Sequence, residues 1–116
     1  EYIKHTYRMM KARDARVLVV EVEGTGQIVG YLIGELQPRS LGASRGVYGF
    51  ISDVFVSASC RRKGVGKALF LEIKHWFTLR GATSLGLYAS VANADSQAFW
   101  QAMGLQPYLT LMHLDM

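Results

Sequence analysis

Cysteine is nearly absent from this chain: its 116 residues contain one, Cys60. A single thiol makes no internal disulfide, which agrees with a reducing compartment. Long apolar runs are missing as well. None approaches the roughly 18 residues of a membrane-spanning helix, and no basic-then-apolar leader opens the chain, so a cytoplasmic location is expected with no membrane partner. Repeats and low-complexity stretches do not occur. Acidic residues are locally scarce, with none between Asp53 and Glu72. The three histidines, His5, His75 and His113, are scattered over separate elements, which argues against a metal site.

What is present fits one soluble globular domain over residues 1–116, with 50% hydrophobic and 19% charged residues. A net charge of +4 and a pI near 9.4 favour anionic partners in general. That balance alone does not imply nucleic acid.

The elements alternate. Ile3, Tyr7 and Met10 have helical spacing, so residues 2–12 are expected to be a short helix. "RVLVVEVEGTGQIVGYLIGEL" reads as two strands joined at Gly24-Thr25-Gly26, a hairpin signal between β-branched runs. Gly30 and Gly34 interrupt its second strand and suggest a bulge or a close backbone approach. Residues 37–46 have loop composition, and 47–56, apolar on both faces, reads as a central strand. Val65 to Arg80 carries one apolar stripe of Val65, Leu69, Ile73, Trp76 and Phe77, with Gly81 as its stop, so it reads as a helix. A strand over 84–91, a short helix over 95–103 closed by Gly104, and a final strand over 107–116 complete the reading. Strand, helix, strand across 47–91 is a right-handed crossover joining parallel strands, and the preceding hairpin makes the sheet mixed.

The stretch "RRKGVGKALF" stands where a strand gives way to a helix. The first N–H groups of that helix have no internal partners and carry the positive end of its dipole, which makes an anion socket. Gly64 and Gly66 let backbone approach a ligand, while Arg61, Arg62, Lys63 and Lys67 add charge. The bland alternative is a basic loop before an ordinary helix. A P-loop is excluded, because Lys67 is followed by Ala68 where that motif needs Ser or Thr.

"DVFVSASCRRKGVGKAL" resembles motif A of the GNAT superfamily of acetyl-CoA-dependent N-acyltransferases, with Arg61, Gly64 and Gly66 in the signature places. "NADSQAFWQAMGL" resembles the family's following motif through Asn93, Ser96, Phe99, Trp100 and Gly104. The resemblance runs from about residue 16 to the end. It implies an α/β (α+β) domain whose mixed central sheet has splayed parallel central strands flanked by helices. It implies acetyl-CoA as acyl donor and an amine as acceptor, with no metal. Backbone of Val54, Phe55 and Val56 would pair with the pantetheine arm, and Arg61, Arg62, Lys63, Gly64, Val65, Gly66 and Lys67 would hold the pyrophosphate. Asn93, Ser96 and Trp100 would line the pantetheine from across the gap; turn hydrogen bonds for Asn93 and helix capping for Ser96 are the alternatives. Relatives usually begin with a strand and one or two helices before the hairpin, so either the N-terminal part is shortened or the acceptor wall is unusually open. The family often dimerises, and a homodimer is carried as an expectation.

The catalytic posts depart from the family. Many polyamine-type relatives carry Glu where this chain has Ser52, and Tyr where it has Trp100. A thiol with an intrinsic pKa near ~8.5 departs tolerably without a proton donor, so losing the Tyr slows the reaction without abolishing it. Presenting a lysine-like amine of pKa ~10.4 in neutral form at pH 7 costs upwards of ~4 kcal/mol, against little more than ~1 for an amine near 8. A preference for low-pKa amines follows, unless Asp53 or an ordered water replaces the missing Glu. Strand alternation places Asp53 opposite Ser52 unless a bulge re-aims it. Asp53, Ser52 as a water holder, and Tyr108 as a substitute acid are the catalytic candidates, and a backbone N–H near Val54 would meet the oxyanion. Tyr88 is a further candidate for the cleft wall. Cys60, beside two arginines, reads as an inert loop thiol.

Two other classes compete. A non-catalytic acyl-CoA-binding domain would bind the thioester yet release thiol to no amine. A nucleic-acid-binding domain would use 61–67 with steep salt dependence. The aromatics in core positions and the confinement of the cations to one loop argue against the last.

Overall fold

The computed structural model describes residues 3–4, 14–38 and 46–116. Five strands lie in the order β1-β2-β3-β4-β5. These are β1 (Ile3–Lys4), β2 (Ala15–Val22), β3 (Ile28–Gln37), β4 (Val47–Val56) and β5 (Ala82–Leu87), with helices α1 (Val65–Leu79) and α2 (Ala94–Ala102). β1 to β4 pair antiparallel and β4 pairs parallel with β5. The mixed sheet with a crossover through α1 is as expected from the sequence.

Glycines punctuate the chain where expected. The hairpin turns through Gly24 and Gly26, both at positive φ, and the Val22 N–H donates to the Gln27 carbonyl across it. Gly81 and Gly104 follow the two helices, again at positive φ, the conformation that stops a helix without a Cβ penalty.

The apolar stripe of α1 is buried as its spacing requires: Val65, Leu69, Phe70, Ile73, Trp76 and Phe77 meet Leu18, Val20, Val29, Leu32 and Ile51 from the sheet. Each such side chain contributes about 1.5–3 kcal/mol by leaving water. The helix can lie this close because the strands have holes beneath it. A Cβ on Gly34 would stand 2.6 Å from Ile73, and one on Gly49 would run into the Phe77 ring. α2 closes the far end, with Trp100 edge-on to Phe70 at 5.8 Å between ring centroids. Arg16 and Arg80 both stack on Trp76, and Arg80 pairs with Asp14 at 3.5 Å.

Three expectations change. The helix expected over 2–12 lies outside the described residues, except that Ile3–Lys4 form a strand pairing with Val22 and Glu21. The strand expected over 84–91 runs from Ala82 to Leu87, because residues 88–90 turn away from β4. The strand expected over 107–116 does not form: the segment has no regular secondary structure and joins no strand among the described residues, and Leu109, Leu111, Met112 and Leu114 stand exposed. A β-favouring composition alone does not hold a strand.

Candidate active site

The ladder between β4 and β5 runs from Val47 to Ile51 and stops there. Beyond it the two parallel strands separate, and β4 continues to Val56 with no strand on that side among the described residues. A pocket of about 220 Å³ occupies the opening, lined by Ser52, Asp53 and Val54 from β4, Leu87 to Ser90 after β5, and Ser96 and Trp100 from α2. Gln97 holds its far wall, donating from Nε2 to the carbonyls of Ala89 and Ser90 at 3.1 and 3.0 Å.

At the mouth, β4 carries a bulge. Ile33 opposes Asp53 and Gly34 opposes Ile51, so Ser52 is the extra residue. Gly49 and Ile51 face α1 on one side of the bulge, and Val54 and Val56 on the other. Ser52 and Asp53 therefore share the face away from the helix, and both are exposed. The opposite facing expected from plain alternation is thus replaced by the bulged arrangement. The Ser52 hydroxyl donates to the Ile33 carbonyl at 3.4 Å. Asp53 accepts from the Tyr31 hydroxyl at 2.9 Å. That bond, then burial and the charge of the same carboxylate, hold the Tyr31 hydroxyl above its ordinary range.

At the other end of β4, a short 3-10 turn (Ala58–Cys60) buries Cys60 and leads into residues 61–64. Gly64 is the N-cap of α1 with φ +81°, and the first turn of the helix has neither a capping side chain nor an acid. Its leading N–H groups are left to a ligand or water. The two motif glycines have separate reasons. Gly64 needs a backbone conformation that side chains resist, with open space around it. A Cβ on Gly66 would stand 3.1 Å from the Phe99 ring, so this glycine lets α2 pack against the start of α1. Arg62, Lys63 and Lys67 are exposed around this entrance, and Arg61 folds back so that Nε donates to the Val56 carbonyl at 3.4 Å.

Asn93 is the N-cap of α2, its Oδ1 accepting from the Ser96 N–H at 3.0 Å. Capping thus falls to Asn93, not to Ser96, whose side chain is left to line the pocket. Trp100 is buried yet borders the pocket. Tyr88 lines the pocket, whereas Tyr108 is outside the lining residues. Tyr48 is held above the ordinary tyrosine range by burial, then by the charges of Tyr108 and Tyr88. Sequence reasoning missed Tyr31 and Gln97. Tyr31 carried a usable signal, since it follows Gly30, the first of the two interrupting glycines, on the strand that pairs with the start of the motif. No group of three or more metal-ligating side chains occurs among the described residues.

Residues 1–105 match the acetyltransferase (GNAT) family. An aminoglycoside N(6')-acetyltransferase type 1 of Klebsiella aerogenes is 31% identical over 80% of this chain and 60% of its own. A glucosamine 6-phosphate N-acetyltransferase of Trypanosoma brucei brucei is 31% identical over 79% and 60%. The chain therefore spans 60% of the length of these curated relatives. Among solved structures, an aminoglycoside N-acetyltransferase in complex with CoA superposes with a TM-score of 0.80 at 20% identity, covering 93% of this chain and 70% of that one. Splayed strands, an uncapped glycine-bearing helix entrance and a family match across nine-tenths of the sequence lead to one conclusion: the chain belongs to the acetyltransferase (GNAT) family.

Proposed function

We propose that this chain transfers an acetyl group from acetyl-CoA to the primary amine of an amino sugar by direct attack. The observation that carries the reading is the opening between β4 and β5, with an anion socket at one end and a bulged carboxylate at the other. The β5-facing edge of Val54 to Val56 offers backbone groups for the pantetheine amides, as an added strand would. The uncapped N–H groups of α1, with Arg61, Arg62, Lys63 and Lys67 around them, suit the diphosphate. Ser96 and Trp100 supply the opposite wall, beside the turn capped by Asn93.

In the reaction the amine nitrogen forms a bond to the thioester carbon, and the tetrahedral oxyanion is met by a backbone N–H near Val54. The carbon–sulfur bond then breaks as the attacking nitrogen gives its second proton to water, and the sulfur leaves as thiolate and takes up a proton from solvent. The proton lost by the ammonium passes to Asp53, directly or through a water held by Ser52. Sugar amines suit this weakly basic site, because neighbouring hydroxyl and ring oxygens make them less basic than lysine, so less free energy is needed to present them neutral. The relatives named for aminoglycosides and glucosamine 6-phosphate support the same class. No acid is assigned, since the thiolate leaves without one. The single buried cysteine supports work in the cytoplasm, and the exposed apolar residues of 109–114 support association of two copies.

Thiol release from acetyl-CoA over glucosamine, aminoglycosides, amino acids and polyamines tests the reading. Fastest release with an amino sugar at neutral pH is expected. A polyamine or lysine as best acceptor overturns the acceptor class. Acetyl-CoA binding with no release to any amine identifies a binding domain instead.

A further inference from the structure

We infer that Tyr31 is a positioning residue for the acceptor, fixing Asp53 so that one carboxylate oxygen is presented to the incoming ammonium. The inference rests on the acceptor reading above and adds a residue that neither family motif contains.

The geometry is a chain of three side chains on the face away from α1. Tyr31 and Phe55 are direct cross-strand partners, their rings stacked at 5.8 Å and 29°. Such pairs restrict each other's rotamers. The ring so held places its hydroxyl 2.9 Å from Asp53 Oδ2. Asp53 shares that face with Phe55, two residues on, in the unbroken register that pairs Tyr31 with Phe55 and Ile33 with Asp53. An exposed aspartate otherwise rotates freely about its terminal torsion. With Oδ2 engaged, Oδ1 remains for a ligand, and the carboxylate belongs to the pocket wall next to Val54. An exposed hydrogen bond of this kind adds little to stability. Its consequence is orientation of the one acidic group among the described residues that line the pocket.

The test uses glucosamine as probe, titrated calorimetrically into the CoA-loaded protein. Tyr31→Phe keeps the ring stack and removes the hydroxyl. Its glucosamine affinity is expected to fall about three- to tenfold with the dissociation constant of CoA unchanged. In an Asp53→Asn background the same substitution is expected to do nothing more, since its partner is already lost. Equal affinity in wild type and Tyr31→Phe, binding by neither, or the same loss in both backgrounds overturns the inference. If glucosamine binds with this pattern but no thiol is released, the catalytic reading fails and the placement of Tyr31 stands. Ultraviolet titration gives a readout that needs no ligand: a tyrosine titrating late in wild type returns toward the ordinary range in Asp53→Asn. Its failure to return also overturns the inference.

Discussion

Beneath α1 the sheet is pitted, with Ile73 filling the space over Gly34 and Phe77 the space over Gly49. On the opposite face Tyr31, Asp53 and Phe55 stand in or near solvent, touching mainly each other. The helix side gains its stability from close packing of apolar groups, and the tolerance for change there is small. The open side contributes little to folding, which leaves its side chains free to be chosen for chemistry. The N-terminus of α1 and the pocket lie where these two regimes meet along β4.

Substitutions separate the two faces. The largest effect is expected from Gly34→Val, whose new Cβ would meet Ile73 at 2.6 Å. Overpacking of this kind costs about 3 kcal/mol and lowers the melting temperature by roughly 10–20 °C. Calorimetric unfolding measures it. On the open face Asp53→Asn is expected to leave stability within about 0.5 kcal/mol yet reduce kcat/KM for the amine about a hundredfold. A comparable loss of stability would erase the distinction between the faces. At their junction, Gly66→Val drives a side chain against Phe99, 3.1 Å from the would-be Cβ, and crowds the helix entrance. The Kd of CoA is expected to rise at least tenfold, equivalent to ~1.4 kcal/mol, measured by titration calorimetry.

The smallest effect concerns alkaline pH. Tyr48 is held above its ordinary range by burial and then by Tyr108 and Tyr88. A group with a raised folded-state value binds its proton more tightly when folded. Its stabilisation is therefore complete below the unfolded value of ~10 and is lost as pH rises through the folded one. Denaturant unfolding above pH 10 is expected to show falling stability, with a shallower fall in Tyr48→Phe.

The parts of this molecule that can be read from its sequence are those fixed by local rules. The hairpin announces itself through Gly24 and Gly26, and α1 through a stripe that is buried residue for residue. The helix entrance follows from the order of cations and glycines. What escapes is set by partners distant in sequence. Alternation along β4 cannot reveal that Ser52 is supernumerary, because a bulge is defined against the neighbouring strand. Just past β5 the carbonyls of residues 89 and 90 accept from Gln97, ten residues beyond Leu87. "PYLTLMHLDM" has strand composition, yet the outer edge of β5 carries no partner strand among the described residues.

Titration of CoA into the folded protein tests the central claim most directly, because the uncapped entrance to α1 and the opened β4 edge are together what should bind it. Saturable binding with one site per chain, weakened at least tenfold by Gly66→Val, is the expected result. No heat and no saturation at millimolar CoA, from protein with a cooperative melting transition, would contradict it.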